Sequence, residues 1–273
     1  RDFCLSRGLG DVYKRQANEN ASAVGYGNNA GGVASSAFGF SNVAKVDYAS
    51  AFGYSNEASG LASSAVGFRN KAASENASAV GYGNNANALA ASAVGYNNTA
   101  GGVGSSTIGY NNTATNENAS AFGYGNTAGG LASSAFGFSN TASGDNANAF
   151  GYNNIASGSK SNVFGTGNTV SGSSSTAVGT ANEVAAENST AIGNNNTISS
   201  GAENSAALGN NISISLKDSV ALGNNSTATA INSVTGNSSY TKWAGVSDVV
   251  GVVSVGSSGA TRQIQNVAAG QVS

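Results

Sequence analysis

One feature constrains this chain more than any other: a glycine that returns every fourteen residues. It stands at Gly25, Gly39, Gly53, Gly67, Gly81, Gly95, Gly109, Gly123, Gly137, Gly151, Gly165, Gly179 and Gly193, then at Gly209 after a 16-residue step and at Gly223 after 14 more. The residue before each glycine is Val, Phe, Ile or Leu. Five residues after it comes a second apolar beat, Ala30 through Ala156 and then Val170, Val184, Ile198, Ile214 and Ala228. Fourteen residues are too few for a pair of helices, and no 3.6-residue period is sustained. Two short strands and two turns fit that length. One such unit cannot bury its apolar face alone, whereas stacked units hydrogen-bond strand to strand and share a narrow core. The sequence therefore predicts an all-β parallel solenoid of fifteen 14-residue coils.

Other residue types keep the same register. An asparagine lies three residues after the glycine in thirteen successive coils, from Asn28 and Asn42 to Asn182 and Asn196. Asparagine tolerates left-handed turn conformations and its amide can hydrogen-bond to a copy of itself, so this column reads as a ladder along a turn rather than a ligand site. The acids Glu19, Asp47, Glu75, Glu117, Asp145, Glu187 and Glu203 all fall six residues before a glycine. In the regular part they skip at least one coil, which avoids like-charge contact and marks a solvated edge. The residue just after the glycine is aromatic ten times running: Tyr26, Phe40, Tyr54, Phe68, Tyr82, Tyr96, Tyr110, Tyr124, Phe138 and Tyr152. It then becomes Thr166, Thr180, Asn194, Asn210 and Asn224. This aromatic column is the candidate ligand-binding surface, with stacking that stiffens the coils as the structural reading.

Composition excludes most catalytic classes. The chain has no His, Pro or Met and one cysteine, Cys4, which removes imidazole-assisted nucleophiles and histidine metal ligands. Charged residues are 9% of the 273, against about 25% in an average domain, and the net charge is −2 without a basic cluster, a poor match to nucleic acid. No run of 18 apolar residues is present to span a membrane as a helix. The acids recur along an edge, not as a facing pair in a cleft of the kind glycoside hydrolysis requires. Gly25–Ala30 and Gly123–Ala128 match a dinucleotide-loop pattern, but no helix pattern follows either. The sequon Asn76-Ala77-Ser78 is expected by chance in so Asn- and Ser-rich a chain. The expectation is a protein that is not an enzyme and uses no cofactor or metal. Residues 1–16 differ from the rest: they hold Arg1, Arg7, Lys14, Arg15 and Cys4, and the stretch from Arg7 to Gln16 resembles translated sequencing-adaptor sequence, so they are read as a non-native or disordered leader. The absence of a starting Met suggests a fragment whose export signals and anchor lie elsewhere.

The later coils read Asn188-Ser189-Thr190-Ala191-Ile192-Gly193, Asn204-Ser205-Ala206-Ala207-Leu208-Gly209 and Asp218-Ser219-Val220-Ala221-Leu222-Gly223. They resemble the N-S-V-A-I-G repeats of the head of YadA-like trimeric autotransporter adhesins. Val253-Ser254-Val255-Gly256 with Arg262-Gln263-Ile264-Gln265-Asn266-Val267-Ala268-Ala269-Gly270 resembles the neck that joins such heads to a stalk. The resemblance divides the chain into a head over 17–230, a bridging segment over 231–252 holding Trp243, and a neck and start of stalk over 253–273. It departs from the family pattern in having Asn where Ser is usual, and in its aromatic column. It implies a left-handed parallel β-roll, a homotrimer, and interchain polar contacts from Arg262, Gln263 and Asn266. It also implies display on the outer membrane of a Gram-negative cell, with the membrane reached only through an anchor missing from this sequence. The function implied is attachment to host extracellular matrix or cells, and autoaggregation, by multivalent binding. Independently of the family, so thin a coil cannot turn all its Ala, Val and Phe positions inward, and the leftover stripe needs a partner. Three other readings stay open: an ice-binding β-solenoid, which needs paired Thr columns; a polysaccharide-active β-helix enzyme, which needs longer coils and a cleft; and a purely structural spacer of a surface fibre.

Overall fold

The computed structural model describes residues 14–16, 18–231 and 250–265, and the regular structure among them is entirely β. Most of the leader, Trp243, Asn266 and Ala268–Gly270 lie outside the described residues. The chain forms two compact units, Arg1–Gly151 and Tyr152–Ser273. Both are built from the predicted coil. A five-residue strand such as Ser92–Tyr96 carries the repeat glycine, a tight turn follows, and a two-residue strand such as Thr99–Ala100 runs back toward the next coil.

In the first unit the long strands pair in parallel at a fixed offset of one coil, Ser78↔Ser92, Ala79↔Ala93, Val80↔Val94, Gly81↔Gly95 and Tyr82↔Tyr96. The short strands make a second parallel sheet, as in Asn85↔Thr99 and Ala86↔Ala100. The second unit repeats the scheme, with Asn162–Thr166 on Thr176–Thr180 and Thr169–Val170 on Glu183–Val184. The two extra residues before Gly209 are absorbed in the turn, because Ile192↔Leu208 and Thr197↔Ser213 still pair.

Strand alternation decides what is inside. Along Ser92–Tyr96 the Ala and Gly side face inward, and Ser, Val and Tyr face outward. The core is therefore a double file of small residues, two before the glycine (Ala79, Ala93, Ala121) and five after it (Ala86, Ala100, Ala114), all 0% exposed. In the second unit Val163, Val170, Val184, Ile198 and Ile214 enlarge the same file. The apolar residue just before the glycine, one of the two beats expected to feed the core, lies on the outside instead: Val24, Ile108 and Leu208 are 47%, 46% and 51% exposed. The glycine itself is fixed by two constraints. Gly109 has φ +120, and a Cβ there would sit 2.1 Å from the Gly123 carbonyl oxygen of the next coil.

The asparagine column forms the amide ladder expected of it, but it does not occupy the left-handed turn position. The left-handed turn residue is the one before it, as at Asn97 (φ 56) and Asn111 (φ 54), with Ser41 (φ 54) and Arg69 (φ 53) at the same position. The column asparagine is buried inside the coil. Asn98 donates through Nδ2 to Asn84 Oδ1 at 3.0 Å, Val94 O at 3.0 Å and Gly109 O at 2.7 Å. Its own Oδ1 accepts the Asn112 backbone N–H at 2.9 Å and Asn112 Nδ2 at 3.0 Å. Each amide thus ties three successive coils and satisfies a buried backbone N–H and two half-buried carbonyls. The ladder ends in the second unit, where Ile212 and then Ser226 take the position.

Beyond the last repeat glycine the chain rejoins the long-strand sheet of the second unit. Val253–Ser254 pairs in parallel with Val220 and Ala221, Val220 N–H donates to Val252 O at 2.8 Å, and Val252 N–H donates to Ser219 Oγ at 3.0 Å. The Arg262 guanidinium closes this end, donating to Ser226 Oγ at 3.1 Å, to Val255 O at 2.7 Å and to Asn224 O. Read from the resemblance as an interchain contact, Arg262 here makes these bonds within its own chain. Gln263 is exposed.

Candidate functional site

Because the long strands are in register, every outward position becomes a column. Ser36, Ser50, Ser64 and their successors form one, the Val/Phe/Ile/Leu residues before the glycine form the next, and the aromatics after it form the third. The predicted aromatic residues are brought together as one stack in the first unit. Tyr26, Phe40, Tyr54, Phe68, Tyr82, Tyr96, Tyr110, Tyr124 and Phe138 follow one another at ring-centroid distances of 4.7–5.0 Å, with interplanar angles of 2–14°. Strand spacing of about 4.8 Å imposes that contact, since one side chain per coil must lie against the next.

The stack is at once packed and open. Its ring faces are covered by their neighbours, while the outer edges meet solvent, with Tyr26 50% exposed and Phe138 41%. Stacking and surface display, set against each other at the level of sequence, coexist in the same rings. Tyr152, 53% exposed, opens the second unit, in which the position passes to Thr166, Thr180 and then a polar ladder. Asn194 Nδ2 donates to Asn210 Oδ1 at 2.7 Å, and Asn210 Nδ2 donates to Asn224 Oδ1 at 2.8 Å.

The neighbouring apolar column adds two shorter aromatic runs, Phe38 on Phe52 at 5.0 Å and Phe122, Phe136 and Phe150 at 4.8 and 4.9 Å. Unlike the aromatic column, it stays apolar in every coil of both units, through Val178, Ile192, Leu208 and Leu222. The acids lie on the opposite turn, exposed except for half-buried Glu203. Asp47 Oδ1 accepts the Val33 N–H at 2.8 Å and Asp145 Oδ1 the Leu131 N–H at 2.9 Å, so these carboxylates tie coil to coil at the edge.

One column escaped the sequence reading. Thr99, Thr113, Thr127 and Thr141 pair in register on the short-strand sheet. Thr looks sporadic along the chain, and only counting within the fourth position after the glycine reveals the run. It is a single column, without the second rank that an ice-binding surface requires.

The profile of the YadA head domain repeat matches residues 30–56, 47–70, 58–84, 100–126, 128–154, 171–196 and 217–234, together more than half of the chain. No curated protein matches it. Matched segments and in-register coils describe the same 14-residue unit, and the chain belongs to the family of YadA head domain repeats, which form the heads of adhesin-type bacterial surface fibres.

Proposed function

We propose that the chain works as a homotrimeric adhesin head, which attaches a Gram-negative cell to host matrix or to other cells through many weak, repeated contacts. The supporting observation is the column before the glycine. It is apolar in all fifteen coils and faces outward, with residues such as Val80, Ile108, Ile192 and Leu222 between 37% and 46% exposed. Monomeric proteins rarely display so long an apolar stripe, and three copies meeting along it would remove it from water. Repetition does the rest of the work. A surface copied once per coil and again on three chains raises effective concentration, so that contacts too weak to hold singly hold together.

Sedimentation of the recombinant chain tests the assembly, with a trimer expected and a monomer at all concentrations contradicting it. Beads coated densely with the chain test the attachment: retention on cells, collagen or fibronectin is expected, and no retention above uncoated beads would refute it.

A further inference from the structure

We propose that the row of ring edges from Tyr82 to Tyr124 is a binding site for an elongated, planar aromatic molecule lying parallel to the column. This goes beyond the adhesin reading and does not depend on it. Four tyrosines succeed one another here, with centroids 4.7, 4.9 and 4.8 Å apart and interplanar angles of 5°, 2° and 3°. They are 41%, 41%, 43% and 47% exposed.

The chemistry of the occupant follows from which part of each ring is free. The faces, which carry the negative lobe of the aromatic quadrupole, are covered by the neighbouring rings, so a sugar has no open face on which to stack. What remains is the perimeter of each ring, C–H edges on the positive side of the quadrupole together with the phenolic hydroxyl. Its complement is an extended π face laid across the edges, which makes one edge-to-face contact per coil over roughly 14 Å, three strand spacings. Charge narrows the class further. The residues following these tyrosines are Gly83, Asn97, Asn111 and Gly125, so no charged side chain flanks the row at that position. Arg69, whose guanidinium lies 5.1 Å from the Phe68 ring centroid, is the charge nearest along that column. The site suits a neutral or charge-delocalised rod of linked aromatic rings. The confinement of the aromatics to the first ten coils, while the apolar column beside them runs through all fifteen, sets this surface apart from whatever joins the chains.

The probe is thioflavin T, titrated into the full chain and read by fluorescence. Saturable enhancement is expected. The double variant Tyr96→Thr, Tyr110→Thr removes the two central edges. Thr occupies the same position at Thr166 and Thr180, so the coil accommodates it. Two lost edge contacts lower the dye affinity about tenfold or more. Replacing all four tyrosines by Phe keeps the edges and leaves affinity unchanged. Nitration by tetranitromethane is a second readout that needs no variant: bound dye slows modification of Tyr82–Tyr124 but not of Tyr48, which is 63% exposed and off the column. The proposal is overturned by no enhancement with the wild-type chain, by unchanged affinity in a folded Thr double variant, by an equal loss in the Phe variant, or by nitration unaffected by dye. A trimer that excludes the dye also overturns it, a second copy of the chain then being the occupant.

Discussion

Replacing Asn98 by Ala tests the physical core of the coil. Asn98 is 0% exposed, and its amide serves two backbone carbonyls, Val94 O at 3.0 Å and Gly109 O at 2.7 Å. Its Oδ1 accepts the Asn112 backbone N–H at 2.9 Å. The truncation leaves these three groups short of a partner, the N–H buried and the two carbonyls half-buried. At about 1 kcal/mol for each, the low end for a buried polar group left unmatched, the loss is about 3 kcal/mol. Two controls fix the interpretation. Asn98→Ser restores one bond, as Ser226 Oγ does with Leu222 O at 2.6 Å, and should fall between wild type and Ala. Asn98→Asp keeps the acceptor but loses the donors and points a carboxylate at two carbonyl oxygens, so it should destabilise more than Ala. Urea unfolding followed by far-ultraviolet circular dichroism gives the free energies. Because each coil of a solenoid contacts only its neighbours, hydrogen exchange should place the weakened amides within a coil or two of residue 98. A stability loss below about 0.5 kcal/mol for the Ala variant would refute the reasoning.

Three further outcomes follow from the same coil. Gly109→Ala should cost more than about 4 kcal/mol, because its Cβ would lie 2.1 Å from a backbone oxygen at φ +120; Gly167→Ala, at φ +63 with nothing within 4 Å, should cost about 1 kcal/mol in the same melt. Ser161 Oγ is buried without a hydrogen-bond partner, and Ala holds the equivalent position at Ala49 and Ala77, so Ser161→Ala should leave stability unchanged or raise it by up to about 1 kcal/mol in urea unfolding. Arg262→Ala should speed exchange of the Thr227 and Val252 amides while the urea midpoint of the whole chain scarcely moves, since only the last turn of the second unit loses its closing bonds; unchanged exchange there would remove Arg262 from that role.

Period and composition made the architecture legible, because only in-register stacking accounts for a Gly, an Asn and an aromatic at one interval. The inner file five residues after the glycine was legible for the same reason. The other file was not, since Ala93 and Val94 are both apolar and the period does not say which of two adjacent residues turns inward. The inward turn of Gly95, forced by the close approach of the next coil, decides it. Likewise Asn97 and Asn98 are the same residue type in succession, and only backbone angles separate the exposed left-handed turn residue from the buried ladder member. The return of Val253 onto Val220 spans 33 residues and breaks the period, so no periodic argument could find it. The aromatic column was found by register alone, but whether its faces or its edges were free was a question for geometry.

The central claim is that residues fourteen apart lie directly opposite one another in parallel strands. Nitroxide labels at Thr113 and Thr127, in a Cys4→Ser background that leaves no other thiol, test it most directly, because these two are register partners on the outward side of the short-strand sheet. Continuous-wave electron paramagnetic resonance should show strong spin–spin broadening for this pair and much weaker broadening for Thr113 with Thr141, two coils away. Unbroadened spectra for both pairs, or equal broadening for the two, would contradict the stacking on which the whole account stands.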